Sequence, residues 1–210
     1  MLPPVAASLF GAVAAGAPTP DGRVAVVAHA GAIFAAVYTA HVKDGYVDFH
    51  RRGEDDDHPL TTEGCRFGLV ASTALFGCCL AGVWAFGNAV AAAVTAPTWV
   101  IGYLHAPQLD TNPVTTTLGY PTGVGLALLG GFAAVAGGVG TTALLLAGVL
   151  VAVLSGVKII DDEVDVAYDR SVDKRTVAVA LGRSRSRRLA SWLMGVGGFR
   201  EDIPWAEDDE

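Results

Sequence analysis

Apolar residues run in long blocks along the chain, with short polar segments between them. An α-helix that rises 1.5 Å per residue needs about 20 residues to cross ~30 Å of hydrocarbon, and six blocks of roughly 16 to 20 residues approach that length. The pattern predicts an all-α fold, a polytopic transmembrane helical bundle of about six spanning helices. The predicted spans are residues 2–17, 24–42, 67–86, 88–104, 122–138 and 140–157.

Composition supports a membrane protein. Mean hydropathy is +0.45, 52% of the residues are hydrophobic and only 17% are charged. The apolar content excludes disorder, three cysteines are too few for a disulfide scaffold, and a net charge of -7 argues against nucleic acid as a partner. We expect Cys65, Cys78 and Cys79 to be small buried apolar residues. The first block has no basic segment before it, unlike a signal peptide, so we expect it to span the membrane.

The charged residues are biased toward acids. There are 21 Asp and Glu residues against 14 Lys and Arg residues, and the only lysines are Lys43, Lys158 and Lys174. An acidic, lysine-poor surface favours solubility in concentrated salt, which predicts a halophilic source. The alternative is that a small sample of loops happens to be acidic.

Basic residues concentrate in two segments, after the second and after the sixth predicted helix. Four helices separate the segments, so both lie on one face, and the positive-inside rule makes that face cytoplasmic. We therefore predict a multi-pass protein of the cell membrane with these segments, and the loop that carries His105 and Asp110, in the cytoplasm. The predicted domains are a transmembrane domain over residues 1–188 and a short apolar segment with an acidic tail over residues 189–210.

Carboxylates recur at helical spacing in both cytoplasmic segments. Asp162, Asp165 and Asp169 stand at i, i+3 and i+7, which places them on one face if the sixth helix continues through them. Asp44 and Asp48 stand at i and i+4 at the end of the second helix. Carboxylates at a helix C-terminus repel one another and oppose the macrodipole, so they favour a bound cation. Mg²⁺ fits best, since it binds a few carboxylates together with substrate phosphate oxygens.

The second cluster resembles a motif of the UbiA-type intramembrane prenyltransferases, Asp-x-x-Asp-x-x-x-Asp after helix 6. A run similar to the family's Asp-Arg-x-x-Gly-Lys-Arg-Thr follows, with Asp173 at the Gly position. The residues that match this run after Asp169 are Arg170, Lys174, Arg175 and Thr176.

The first cluster resembles the family's Asn-Asp-x-x-Asp-x-x-x-Asp motif after helix 2. Asp44 and Asp48 fit its last two aspartates, whereas Ala40 and His41 stand where Asn-Asp is expected. The run from His58 to Thr61 then resembles the family's Arg-Pro-Leu. The resemblance covers residues 2–182.

The resemblance implies an enzyme of lipid biosynthesis, a transferase of alkyl or aryl groups other than methyl. It would move an isoprenyl group from a prenyl diphosphate donor to a lipophilic acceptor, with Mg²⁺ as cofactor, within membrane lipid. The implied catalytic metal ligands are Asp44, Asp48, Asp162, Asp165 and Asp169. The implied diphosphate-binding residues are Lys174, Arg175, Arg170 and Lys43.

Other interpretations stay open. Members of the family usually have about nine helices, whereas residues 189–199 are too short to span a bilayer. The chain is therefore interpreted as truncated, divergent or completed by self-association, and the alternative function is a non-catalytic member that binds lipid or a partner. The CDP-alcohol phosphotransferase pattern fails after Asp44-Gly45. Asp55, Asp56 and Asp57 are expected to be a solvated patch. Tyr103 is expected to be an interface anchor, with a carbocation-facing ring as the alternative.

Overall fold

The computed structural model describes residues 2–53 and 59–195, which form helices joined by short connections and contain no strand. A π-helical turn over Asp48–Arg52 extends α2, and a 3₁₀ turn over Leu109–Thr111 precedes α5. The helices are α1 (Leu2–Ala15), α2 (Pro20–Val47), α3 (Thr62–Phe86), α4 (Ala89–Leu104), α5 (Pro113–Ala136), α6 (Thr141–Val164), α7 (Val166–Ser171), α8 (Val177–Leu181) and α9 (Arg183–Leu193).

Each of the six predicted apolar blocks forms a helix, which confirms the all-α membrane bundle. Among the described residues, four helices are long and apolar enough to cross a membrane, namely α2 with its π-helical turn, α3, α5 and α6. The other two, α1 and α4, are apolar but have only 14 and 16 residues. The six blocks thus include two helices shorter than a typical span.

Several helices begin earlier than the apolar pattern predicts, because polar residues cap their first turns. Thr19, Thr61 and Asn112 each accept a hydrogen bond from a backbone N–H inside the helix that follows. Proline at the first position of α2 and α5 needs no such partner. Hydropathy detects only the part of a helix inside the hydrocarbon and misses these polar turns.

Small residues let the helices pack closely. α2 lies against α3, α4 and α5, and α1 lies along α5. In the α1–α5 contact, a side chain on Gly11 would overlap the Leu128 carbonyl, and one on Gly131 would overlap the Ser8 carbonyl. The absence of side chains at these glycines allows the two backbones to touch, as is common between membrane helices.

Large apolar side chains cover much of the outer surface. Phe67 and Trp84 are 76% and 67% exposed, which fits a surface in contact with lipid. Cys65 is buried, but Cys78 is exposed on this surface, so the expectation of burial is wrong for Cys78. A lipid-facing position accepts a small apolar side chain as readily as a core position does. The predicted patch Asp55, Asp56 and Asp57 lies outside the described residues, as does His58.

The last described helix, α9, turns back along α6. Arg187 Nε lies 2.7 Å from Glu163 Oε1, and seven residues further along, Met194 packs against Gly156. The two helices are therefore antiparallel. Because α9 contains residue 188, the predicted domain boundary there falls inside a helix; the division itself stays a prediction.

Candidate functional site

The loops that follow α2, α4 and α6 meet at one end of the bundle. Arg52 Nη1 lies 3.2 Å from Asp48 Oδ1 and 3.5 Å from Asp110 Oδ2. The Arg175 backbone N–H donates to the Asp110 carbonyl at 2.9 Å. Asp110 therefore joins the first acidic segment, through Arg52, to the second, through Arg175.

Two of the three motif aspartates in the second acidic segment are buried. Asp162 and Asp169 are 4% and 2% exposed. The Lys158 ammonium pairs with Asp162 Oδ1, and Lys174 Nζ lies 3.9 Å from Asp169 Oδ1. The second carboxylate oxygen of each aspartate is buried without a hydrogen-bond partner. A buried anionic oxygen of this kind is costly unless a cation binds to it.

Asp165 is placed differently from its two neighbours. α6 ends at Val164, Asp165 has φ -101° and ψ 13°, and a separate short helix, α7, follows. Asp165 is exposed, so the unbroken helical face predicted from the spacing is interrupted at its centre. The dense carboxylates at the end of α6 oppose the helix dipole, which weakens a continuous helix there.

The two aspartates of the first motif have different surroundings. Asp48 is engaged with Arg52, whereas Asp44 is half-buried and lines a groove. Ala40 and His41 line the same groove, one turn before Asp44. Asp44 is therefore the first-motif carboxylate that faces the groove.

Charge interactions connect both segments at Lys174. Burial lowers the pKa of Lys174, but the charges of Asp110, Asp169, Asp162 and Asp44 outweigh burial and raise it above its usual value. Burial raises the pKa of Asp169, as does the charge of Asp162, against the lowering effects of Lys174 and of the nearby Thr176 side chain. Lys174 thus interacts electrostatically with aspartates from both predicted motifs.

The remaining predicted cations occupy different settings. Arg170 and Arg175 are exposed at the same end of the bundle. Lys43 is buried, and its Nζ donates to the Tyr103 carbonyl at 2.6 Å and to Gln108 Oε1 at 3.2 Å. The same ammonium lies 3.9 Å from the centroid of the Tyr103 ring. The Tyr103 ring therefore already faces a cation, supplied by Lys43.

The groove lies between α1, α2, α4 and α5, is partly open to its surroundings, and has a cavity volume of about 120 Å³. Asp44 and His105 line one end of it, and Pro4, Ile33 and Val124 line the other. Ile33 and Asp44 are eleven residues apart on α2, which corresponds to about 16 Å along the helix. An elongated apolar groove that ends at a carboxylate suits a chain-like apolar molecule with a charged head.

The described residues contain no group of three or more His, Cys, Asp or Glu side chains arranged to hold a metal ion. The fit to a metal therefore rests on the unpartnered oxygens of Asp162 and Asp169. Asp44, at the end of the groove, is the candidate from the first motif that faces it. Carboxylate oxygens are the ligands that Mg²⁺ prefers, and it commonly retains waters or substrate oxygens in its other positions.

Sequence reasoning missed three charged residues of this region. Lys158 precedes Asp162 by four positions, a spacing that predicts a helical ion pair. Asp110 belongs to a loop predicted to lie on the same face as the motifs, but nothing in the sequence places it against Arg52. Glu163 is buried, and its partner Arg187 comes from α9.

Comparison with known proteins agrees with the helical arrangement. Curated proteins yield no significant match to the chain. The sequence model of the UbiA prenyltransferase family matches residues 1–200. This range includes both acidic segments and all six apolar helices. The chain therefore belongs to the UbiA prenyltransferase family, a family of helical membrane proteins that transfer prenyl groups.

Proposed function

We propose that this protein is a Mg²⁺-dependent prenyltransferase that moves an isoprenyl group from a prenyl diphosphate to a lipophilic acceptor. The observation that carries the proposal is that an apolar groove ends beside a group of acidic residues and a lysine. The apolar groove ends at Asp44, and the charge of Asp44 acts on Lys174 together with those of Asp162 and Asp169. A prenyl diphosphate has the same division into an apolar chain and an anionic head.

Mg²⁺ would be held first by Asp162, Asp169 and Asp44. The support is the pair of buried, unpartnered oxygens on Asp162 and Asp169 and the position of Asp44 at the groove. Asp48 and Asp165 complete the proposed ligand set. When bound, the ion acts as a Lewis acid that neutralises charge on the diphosphate oxygens.

The chain supplies cations for the diphosphate as well. Lys174 is the central one, because it already interacts with carboxylates of both segments. Arg175 and Arg170 present exposed guanidinium groups at the same end, and a guanidinium can bind two oxygens of a phosphate at once. We assign Lys43 a secondary role at the diphosphate, since Tyr103 and Gln108 already hold its ammonium.

The groove would hold the prenyl chain away from water. In the proposed reaction the allylic carbon–oxygen bond breaks, and the electron pair leaves with the pyrophosphate. A carbon of the acceptor then bonds to the allylic carbon and loses its proton. Exclusion of water protects the allylic cation from hydrolysis, which is the role we assign to the apolar walls.

The test is pyrophosphate release from geranylgeranyl diphosphate, with and without Mg²⁺, in high-salt membranes that contain the chain. We expect release to require Mg²⁺. The Asp162→Asn/Asp169→Asn variant should reduce it by about 100-fold or more, since both proposed buried ligands lose their charge. Asp161→Asn is the matched control, because Asp161 is exposed on the same helix and should leave release unchanged.

Release that persists without Mg²⁺ or in the double variant would contradict the proposal. One observation favours the alternative of a non-catalytic family member, namely the lack of a three-residue metal group among the described residues. No release from a correctly inserted wild-type chain would favour that alternative. The cytoplasmic orientation, the halophilic source and self-association stay predictions.

A further inference from the structure

Lys158 has no role in the function proposed above, yet it contacts one of the proposed metal ligands directly. It lies one helical turn before Asp162 on α6, and its ammonium pairs with Asp162 Oδ1. The side chain of Lys158 is 24% exposed, whereas that of Asp162 is 4% exposed. The lysine therefore reaches a buried carboxylate from a position near the surface.

The buried carboxylates already have cations of their own. Lys158 is beside Asp162 and Lys174 is beside Asp169, so two ammonium groups balance two carboxylates. Each aspartate keeps its other oxygen buried and without a hydrogen-bond partner. A divalent ion at those oxygens would place two further positive charges beside two ammonium groups, which is unfavourable at such short range.

A lysine can relieve that repulsion because its charge sits at the end of a flexible four-carbon chain. The Lys158 side chain is partly exposed, so its ammonium can move outward without breaking the helix. Asp162, in contrast, is held by its buried position on α6. The mobile partner of the ion pair is the lysine.

We propose that Lys158 is a tethered counter-ion, which neutralises Asp162 in the metal-free protein and withdraws when a divalent cation binds there. This inference rests on the proposed function, since it requires that Asp162 binds the metal. Lys158 is then a positioning residue that competes with the metal, and its removal should strengthen metal binding. If Lys158 bound the diphosphate instead, its removal would not strengthen the binding of Mg²⁺ measured without diphosphate.

The test measures binding of Mg²⁺ alone, without diphosphate, to the purified full chain by calorimetry and thermal unfolding. We expect Lys158→Met to lower the Kd for Mg²⁺ by about five-fold or more, as loss of a competing ion pair predicts. Without metal, Lys158→Met should unfold at a lower temperature than the wild type. Addition of Mg²⁺ should raise the unfolding temperature of the variant by more than it raises that of the wild type. Arg188→Met is the matched control, because it removes one positive charge from an exposed position on α9 and should leave the Kd unchanged.

Two results distinguish failure of this inference from failure of the function. If the wild type binds Mg²⁺ and Lys158→Met binds it equally or less tightly, the counter-ion role is overturned and the proposed function stands. If neither protein binds Mg²⁺ alone, the counter-ion role is overturned, and the separate pyrophosphate-release assay decides the proposed function. Lys158→Gln keeps a hydrogen-bond donor for Asp162 without the charge, so it supplies the same comparison if Lys158→Met does not fold.

Discussion

Asp110 shows how one side chain joins segments that are far apart in sequence. It is 7% exposed and lies in the loop between α4 and α5. Its carboxylate is near Arg52, and its carbonyl accepts the Arg175 N–H. Because Arg52 also pairs with Asp48, this loop residue links both acidic segments.

Asp110→Ala should lower the free energy of unfolding by about 1–3 kcal/mol, since it removes a buried partner of a charged group. The backbone hydrogen bond to Arg175 remains in this variant, so the loss reports on the side chain. Thermal unfolding in detergent measures the change, with Asp161→Ala as a control at an exposed site. Equal stability of Asp110→Ala and wild type would show that the Arg52 contact does not stabilise the fold.

Among the helices, the contact between α2 and α4 depends on a glycine. A Cβ at Gly102 would lie 2.6 Å from the Ala36 carbonyl oxygen, closer than any normal contact. Both residues also line the groove. The width of the groove on this side is therefore set by how closely these two helices approach.

Gly102→Ala should force α4 away from α2 and lower the free energy of unfolding by about 1–3 kcal/mol, despite alanine's higher helix propensity. Gly148→Ala on α6 is the matched control, because a Cβ there meets no atom within 4 Å. It should leave stability unchanged or raise it by up to ~1 kcal/mol. Thermal unfolding of both variants measures these changes in stability. If Gly102→Ala and Gly148→Ala change stability equally, Gly102 has no special role in helix packing.

Across the whole molecule, four helices enclose one elongated groove beneath the charged end of the bundle. Its walls are formed by α1, α2, α4 and α5, while large apolar side chains are exposed on the outside of the bundle. The dimensions of this groove limit the apolar chain that it can hold. If the groove holds the prenyl chain, as proposed, donor length is a property of the assembled bundle and of no single helix.

Gly123→Leu should fill the middle of the groove with little strain, because a Cβ there would meet only Ile101, at 4.0 Å. We expect turnover of long prenyl diphosphates to fall about tenfold relative to short ones, as lost pocket volume excludes extra methylenes. Gly77→Leu, at an exposed glycine of α3 with open space around it, should leave the ratio unchanged. If Gly123→Leu leaves the ratio of long-donor to short-donor turnover unchanged, the prenyl chain of the donor does not bind in this groove.

The placement of the candidate site residues was predicted in part, and their roles stay a prediction. Motif spacing singled out Asp162 and Asp169, both of which the fold buries, and Asp44, which lines the groove. The same spacing treated Asp165 as an equal partner, although the break after α6 leaves it exposed. Spacing predicts a shared face only while the helix is continuous, and the repulsion that interrupts α6 depends on charges brought together at its end.

The sequence by itself determined the class and order of the helices, because apolar length and helix caps are local properties that depend only on neighbouring residues. It also determined that both acidic segments share one end, since that follows from counting crossings. Only the tertiary structure decided that Lys43 binds Tyr103 and Gln108, that Asp110 joins Arg52 to Arg175, and where the groove lies. These features are contacts between residues remote in sequence, and their geometry depends on how the helices pack.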